Sequence, residues 1–375
     1  MRRIVFTGGG TGGHIIPNIA IIQRLNKAYP ELEILYIGSK HGPEKKLIKN
    51  IGVEFKNVMT GKFRRYFSLK NLTDFFKIPF GIYQAYKILK KFRPNVVFSK
   101  GGFVSIPVVY AAHFLKIPIV LHESDVSPGL ANRLAAKKAG ILCLAHFESQ
   151  KYFSSHLRKI VTGNPIREFI TKGNAEKGYK LTGFSPEYPT ILIMGGSSGA
   201  QHINDEVALA LNGLAQHYQI LHICGRGKRE KAVPINENLR NRYNVFEYVD
   251  RELPDFYMIA DLIITRAGAN SLAEIEALNI PAIIIPIGKA ASRGDQIMNA
   301  FLYQEKHPET KVIEDDLLSY KSLIKTIEQI LPYKNFIKKS RETSQSANST
   351  DNILKVLENF LGESCDIKNN VVERS

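Results

Sequence analysis

Short apolar runs rich in β-branched residues, four to seven positions long, alternate along the chain with longer stretches whose apolar residues return every three or four positions. The first series reads RIVF (3–6), EILYIG (33–38), NVVFS (95–99), IPIVLH (117–122) and ILCLA (141–145). Runs of this length bounded by Gly, Pro or polar residues predict strands buried on both faces. Their alternation with helical periods predicts βαβ units in parallel sheets. After VTGNPIR (161–167) and a polar stretch rich in Lys, Gly and Pro, the series restarts with TILIMG (190–195), QILHIC (219–224), YNVFEYV (243–249), DLIITR (261–266) and PAIIIPI (281–287).

The restart echoes the beginning, because RIVFTGGGTGG and TILIMGGSSGA are both strand, glycine-rich turn and helix start. The fold class expected is therefore α/β, with two Rossmann-like domains, 1–163 and 164–344, and a hinge near Asn164-Pro165. In such pairs a ligand is expected beyond the carboxyl ends of the strands, in a cleft where the glycine turns face each other. Residues 362–375 are polar and read as a disordered tail.

Composition agrees with this division and narrows the chemistry. A chain of 375 residues exceeds what one hydrophobic core organises. Met1-Arg2-Arg3 leads into an apolar run that glycines end too early for a signal peptide, and no apolar stretch reaches the roughly 18 residues of a membrane span, so a cytosolic location is expected. Cys143, Cys224 and Cys365 stand far apart without metal-ligand spacing, which argues against a disulfide framework or structural zinc. The formal charge of +16 favours an anionic partner without choosing among nucleic acid, a membrane face and phosphorylated substrates.

Gly8 to Gly13 contain five glycines in six positions, followed at once by His14. Backbone this bare lets a ligand approach main-chain N–H groups, and the helix that follows aims its positive end at negative charge. Gly8-x-Gly10-x-x-Gly13 satisfies the dinucleotide fingerprint, but the acid that should end the second strand and bind a ribose is missing, and no GxxxxGK[ST] loop is present. A helix N-terminus disfavours the imidazolium, so His14 is expected to be neutral near pH 7, as a general base must be. It reads equally well as a residue that only hydrogen-bonds the turn.

The second domain offers a matching constellation in TRAGANSLAEIEALNIPAIIIPI (265–287). Glu274, early in a helix after a glycine turn at Gly268, is placed to accept both hydroxyls of a ribose while the helix start faces a diphosphate. Ser271-x-x-Glu274 also fits a capping box, in which both side chains only cap the helix, and on the residues alone that reading ranks first. Asp295, Gln296 and Asn299 are candidates for sugar hydrogen bonds or routine helix-start residues. Arg167 stands at the hinge as a phosphate contact or a solvated cation. No two aspartates lie two positions apart. Without a DxD pair, leaving-group charge would fall to N–H groups, helix dipoles and arginine, and no metal or cofactor is expected.

Together, in order, GGTGGH (9–14), KGGFVSIP (100–107), HESDVSPGLANR (122–133), TGNPIR (162–167), GGSSGAQHIN (195–204), RAGANSLAEIEALNIPAIIIP (266–286) and GDQIMNA (294–300) resemble the MurG family of peptidoglycan glycosyltransferases. The resemblance runs from the first strand to about residue 360. It implies a GT-B fold whose C-terminal helix, about 345–361, packs back on the first domain. It further implies inverting transfer of N-acetylglucosamine from UDP-N-acetylglucosamine to the undecaprenyl-diphosphate-linked muramoyl peptide, converting lipid I to lipid II. Carried over residue by residue, Thr11, Gly12 and Gly13 would line the sugar and diphosphate, and Arg167, Ser197 and Gln296 would contact the donor. Val249 would hold the uracil through its main chain. Glu274 would take the ribose, with Ala269, Asn270, Ser271, Leu272 and Ala273 forming the turn and helix start around it. His14 and the KGGFVS turn would face the acceptor, with His14 as the candidate base. Asp125, also assigned to the donor, stands where many members carry Asn, and an ionised carboxylate accepts hydrogen bonds without donating them.

The segment 61–94 carries nine basic residues against one acid, Asp74, interleaved with nine aromatics. Such a surface docks on an anionic bilayer, each cation contributing on the order of 1 kcal/mol. The competing reading, in which its rings are core residues beside solvated lysines, ranks second, and no nucleic-acid module is recognised. A lipid-linked acceptor favours peripheral attachment to the cytoplasmic face of the membrane, the setting of a cell-wall synthesis complex. The readings left open are a related transferase with another lipid acceptor such as diacylglycerol, a UDP-sugar epimerase, and a non-catalytic membrane-surface protein on the same fold.

Overall fold

The structure is a computed structural model that describes residues 2–61, 69–196, 200–229, 236–288, 294–333, 336 and 349–362, and no side chains for 69–76. The chain divides into two compact units, Met1–Arg167 with Asn348–Ser375, and Glu168–Ala347. Ser197, the tail 363–375 and residues 62–68 of the basic aromatic segment lie outside the described residues.

The first unit is built on strands β1 (Arg3–Thr7), β2 (Glu33–Ser39), β3 (Glu54–Val58), β4 (Val96–Ser99), β5 (Ile119–Glu123), β6 (Ile141–Leu144) and β7 (Arg158–Val161). Helices α1 (Gly12–Ala28), α2 (Glu44–Asn50), α3 (Leu69–Phe92), α4 (Ile106–Phe114) and α5 (Leu130–Ala136) connect them. All pairings are parallel, and the sheet order is β3-β2-β1-β4-β5-β6-β7. The central strands β1, β4, β5 and β6 are buried nearly throughout, which is why they read as continuous apolar runs. From β1 the chain first builds outward through β2 and β3, then returns to place β4 on the other side. That reversal makes β1 and β4 a topological switch point, the place where doubly wound sheets bind ligands.

The second unit repeats the plan with β8 (Thr190–Met194), β9 (Gln219–Ile223), β10 (Tyr243–Phe246), β11 (Leu262–Thr265), β12 (Ala282–Ile284) and β13 (Lys311–Val312). Its helices are α6 (Ala175–Thr182), α7 (Gln201–Leu214), α8 (Leu253–Ile259), α9 (Ala269–Leu278), α10 (Asp295–Lys306) and α11 (Tyr320–Ile330). The parallel order β10-β9-β8-β11-β12-β13 puts a second switch point between β8 and β11.

The last helix, α12 (Ser349–Leu361), belongs to the first unit. Ile353, Leu354 and Leu357 recur at helical spacing and are buried in the core that also holds Ile15, Ile22 and Leu25 of α1. Arg24 Nε donates to Asp351 at 2.8 Å and Tyr29 to Glu358 at 2.7 Å along the edge of that contact.

Strands β3, β7 and β13 were not expected from the apolar pattern. Each is an outermost strand, mostly exposed or half-buried, and therefore lacks the apolar run that marks the interior strands. The expected strand at 243–249 ends at Phe246. The break between units follows Arg167, slightly beyond Asn164-Pro165, because Asn164 is hydrogen-bonded to Lys100 and Ser124 of the first unit.

Candidate functional site

In the first unit Thr7 of β1 is in register with Ser99 of β4, and Lys100 N donates to Thr7 O at 3.0 Å. The turn Gly8–Thr11 and the turn Lys100–Gly102 therefore leave the sheet side by side at its switch point. Thr11 is the N-cap of α1 in extended conformation, so Gly12, Gly13 and His14 form the first helical turn with their N–H groups at its positive end.

Two close approaches explain why these turns are glycine. Gly10 has φ +89°, and a Cβ there would stand 2.5 Å from the Phe103 ring. Gly102 has φ +81°, and its Cβ would stand 2.6 Å from Gly9 O and 3.0 Å from His14 Cδ2. The second glycine turn thus packs directly on the first and on the imidazole. Beneath them Tyr36 donates to Gly8 O at 2.7 Å and itself accepts from Asn18 Nδ2 at 3.0 Å.

Glu44, fully buried at the start of α2, accepts from Ser39 N at 2.9 Å, from Ser39 Oγ at 2.5 Å and from Gly10 N at 3.4 Å. A protein carboxylate occupies the N–H group that a dinucleotide phosphate would take in a Rossmann turn. The fingerprint GxGxxG therefore does not make this unit a dinucleotide site, in keeping with the missing ribose acid after β2.

His14 Nδ1 lies 3.2 Å from Lys100 O. A carbonyl only accepts, so Nδ1 carries the proton and Nε2 presents the basic lone pair.

Lys100 sends its side chain in the opposite direction, into a largely buried polar cluster at the carboxyl ends of β4 and β5. Its Nζ meets His122 Nδ1 at 2.7 Å, Asn164 Oδ1 at 3.1 Å and Ser124 Oγ. His122 Nε2 lies 2.9 Å from Gly163 O, which fixes the proton on Nε2 and makes Nδ1 the acceptor for the lysine. Burial followed by the Lys100 charge holds His122 well below its ordinary value. Burial likewise lowers Lys100, opposed by Glu123 and Asp125, and it raises Glu123, reinforced by Asp125. Glu123 accepts from Asp125 N at 3.0 Å and Asn132 Nδ2 at 2.9 Å. Asp125 is half-buried in the loop after β5, where its carbonyl accepts from Ser149 Oγ at 3.2 Å. Arg167 ends the first unit only 9 % exposed, which overturns the solvated reading of this cation.

In the second unit Met194 pairs with Thr265, so Gly195 and Arg266 leave the sheet side by side at the second switch point. Helix α9 begins at Ala269 with Gly268 as N-cap and no side-chain cap bond. Ser271 is therefore inside the first turn, and Glu274 lies a turn further on. The expected Ser271–Glu274 capping box does not form, because the helix already starts at Ala269, too early for it. Glu274 is instead 6 % exposed and accepts from the buried Tyr257 hydroxyl through Oε2 at 3.1 Å. Ala269, Asn270, Ser271, Leu272 and Ala273 form the first turn and a half of α9, ahead of that carboxylate.

Val249 follows β10 and packs on the core shared by Phe246 and Leu253. Gln296 opens α10, where its Oε1 accepts from Ile287 N at 3.2 Å, so a further contact through its Nε2 would donate. Asn299, weighed as a sugar ligand, is buried and donates to Ala267 O at 3.3 Å, tying α10 to the turn after β11. Arg266 has a similar anchoring role, with Nη1 reaching Ile285 O at 3.2 Å and Asp315 Oδ1 at 2.5 Å.

Residue-level reading did not single out Lys100, His122, Glu123, Glu44 or Tyr257. The first three each stand at the carboxyl end of an apolar run, the signal that placed polar residues at a sheet's binding edge. Nothing in sequence spacing pairs Lys100 with Asn164 or Tyr257 with Glu274.

Two doubly wound parallel sheets, each with a glycine turn and a helix start at its switch point, define the GT-B class of nucleotide-sugar enzymes. The models for the glycosyltransferase family 28 N-terminal and C-terminal domains match residues 4–141 and 190–357. The chain belongs to glycosyltransferase family 28, among relatives named UDP-N-acetylglucosamine–N-acetylmuramyl-(pentapeptide) pyrophosphoryl-undecaprenol N-acetylglucosamine transferase. One from Clostridium botulinum strain Hall is 43 % identical over 362 residues, 96 % of this chain and 99 % of that protein. One from Clostridium tetani is 42 % identical over 359 residues, covering 96 % and 98 % of the two chains. The fold is shared with the crystal structure of Acinetobacter baumannii MurG, at TM-score 0.70 and 22 % identity over 96 % of this chain and all of that one (100 %). It is also shared with a UDP-GlcNAc 2-epimerase from Neisseria meningitidis, at TM-score 0.64 and 14 % identity over 96 % and 100 %.

Proposed function

We propose that the protein transfers N-acetylglucosamine from UDP-N-acetylglucosamine to a hydroxyl of the undecaprenyl-diphosphate-linked N-acetylmuramoyl peptide, lipid I to lipid II. The observation that carries this reading is relatedness over nearly the whole length, through both family 28 domains, to proteins named for that transfer. The epimerases share the fold at far lower identity and weigh less.

The chemistry is a single displacement. His14 Nε2 takes the proton of the acceptor hydroxyl, and that oxygen forms a bond to the anomeric carbon from the face opposite UDP. The bond from that carbon to the diphosphate oxygen breaks, its electron pair leaves with UDP, and configuration inverts. A positioned base of this kind contributes roughly 10²- to 10⁴-fold. Thr11, Gly12 and Gly13 bring main-chain N–H groups to the sugar and diphosphate, and Arg167, Ser197 and the N–H groups at the start of α9, ahead of Leu272 whose N–H donates to Gly268 O at 3.0 Å, receive the leaving charge. Glu274 takes the ribose hydroxyls, Val249 the uracil, and Gln296 the donor sugar. Asp125 completes the donor contacts as an acceptor only. With donors in these places the transfer needs no metal ion. Labelled UDP-N-acetylglucosamine and a lipid I analogue should give labelled lipid-linked disaccharide in chelator; loss of transfer there would remove the metal-free mechanism.

We further infer peripheral attachment to an anionic membrane. No described helix is long and apolar enough to cross a bilayer. On α3, Gly81, Ala85 and Leu89 face the core at helical spacing, while Phe80 and Tyr83 are 50 % and 53 % exposed. Lys87 lies 4.5 Å over the Tyr83 ring, the ring-and-cation pairing that suits a headgroup boundary. Co-sedimentation with anionic vesicles at low salt should retain the protein, and its absence from the pellet would remove the attachment.

A further inference from the structure

Tyr257 is the fifth residue of α8 and completely buried. Its hydroxyl donates to Glu274 Oε2 at 3.1 Å and lies 3.7 Å from Met194 Sδ, at the last residue of β8. The phenol thus joins the carboxylate of α9 to the strand whose glycine turn opens the second switch point. A thioether is a weak acceptor, so the carboxylate holds this proton.

We propose that Tyr257 is a positioning residue for the donor's ribose, orienting the Glu274 carboxylate before the nucleotide arrives. This rests on the reading that Glu274 accepts the ribose hydroxyls. A glutamate has three side-chain torsions to settle, and a carboxylate held by the Tyr257 hydroxyl enters the complex with fewer of them free. The hydrogen bond is made below the surface, from a ring that fills the core. The ligand does not have to build it. Tyr257 does not touch substrate, and its effect on the ribose passes through the Glu274 carboxylate.

This predicts an effect confined to nucleotides that carry ribose hydroxyls. Calorimetric titration of the full chain with UDP and with 2′,3′-dideoxy-UDP reads the discrimination directly. Tyr257→Phe removes one oxygen and keeps the ring, so the fold is retained and thermal denaturation checks it. It is expected to cut the preference for UDP over the dideoxy analogue by about tenfold, the scale of one hydrogen bond to a charged group. In turnover, KM for the donor rises while kcat changes less than about twofold, since ground and transition states lose equally. Met194→Leu, which removes the thioether 3.7 Å from the hydroxyl, should leave the preference unchanged.

Glu274→Ala separates the two levels. If it abolishes the preference and Tyr257→Phe reduces it, the proposal stands. If Glu274→Ala abolishes the preference and Tyr257→Phe leaves it intact, the positioning role falls while the ribose assignment survives. If Glu274→Ala leaves the preference intact, the ribose assignment falls and the positioning role with it. Equal weakening toward both nucleotides in Tyr257→Phe would mark a merely structural tyrosine and overturn the proposal.

Discussion

The imidazole Nδ1 of His14 sits 3.2 Å from the main-chain oxygen of Lys100. That contact sets the tautomer, so the base proposed for the acceptor hydroxyl is Nε2. His14→Ala should lower kcat by roughly 10²- to 10⁴-fold and leave donor binding unchanged. His14→Asn, which keeps a short amide donor for the Lys100 carbonyl but supplies no base, should lose as much activity as alanine while melting closer to the native protein. An alanine variant with near-native turnover would exclude His14 as the base.

Gly12 and Gly102 test the same face from opposite directions. A Cβ on Gly102 meets Gly9 O and the His14 ring at positive φ, whereas a Cβ on Gly12 meets nothing within 4 Å. Gly102→Ala should therefore destabilise the first unit by about 1–3 kcal/mol and lower kcat, because the imidazole is displaced. Gly12→Ala should melt like the native protein. Any rise in its donor KM then reports crowding of the ligand rather than of the fold.

Lys100 gives the stability of the first unit a defined pH dependence. Burial lowers this lysine from 10.5 to about 7. Below that value both folded and unfolded chains hold the proton. Above it the folded chain releases the proton and the unfolded chain keeps it, so stability rises with pH until about 10.5. The slope approaches about 1.4 kcal/mol per pH unit. Glu123, raised to about 7, changes its contribution mainly below the window from pH 7.5 to 9, and Cys143, raised from 9.0 to about 12, mainly above it, so the lysine dominates there. Native protein compared with Lys100→Met in urea unfolding should gain about 2 kcal/mol across that window. A constant difference would show that Lys100 does not titrate there.

Arg266 is predicted to hold the edge of the second switch point. Its Nη1 alone meets Ile285 O, Pro286 O and Asp315 with little solvent exposure, so Arg266→Met removes all three contacts and takes this cation from the Asp315 carboxylate. A loss of about 1–3 kcal/mol is expected, read as a lower melting temperature of the full chain and largely restored when UDP is bound.

What the sequence made legible follows from where burial is uniform. The strands beside β1 and β8 are buried on both faces and read as plain apolar runs, and the glycine turns after them marked both switch points. The outermost strands β3, β7 and β13 carry the residues of an exposed edge, so their pattern is that of a loop. Glu274 was recognised, yet its partner was not. A capping box depends on the residue at which the helix begins, and only the backbone puts that start at Ala269. The cluster of Lys100, His122, Ser124 and Asn164 joins three separated segments, and such contacts have no spacing to read. Its existence was hidden, although the strand ends that carry it were in view.

The most direct test gives the protein labelled UDP-N-acetylglucosamine with a lipid I analogue and a diacylglycerol together, and follows both products and the configuration of the new linkage. The account predicts label on the lipid I analogue alone, in a linkage inverted relative to the donor. Transfer to diacylglycerol in preference, or a retained configuration, would contradict it.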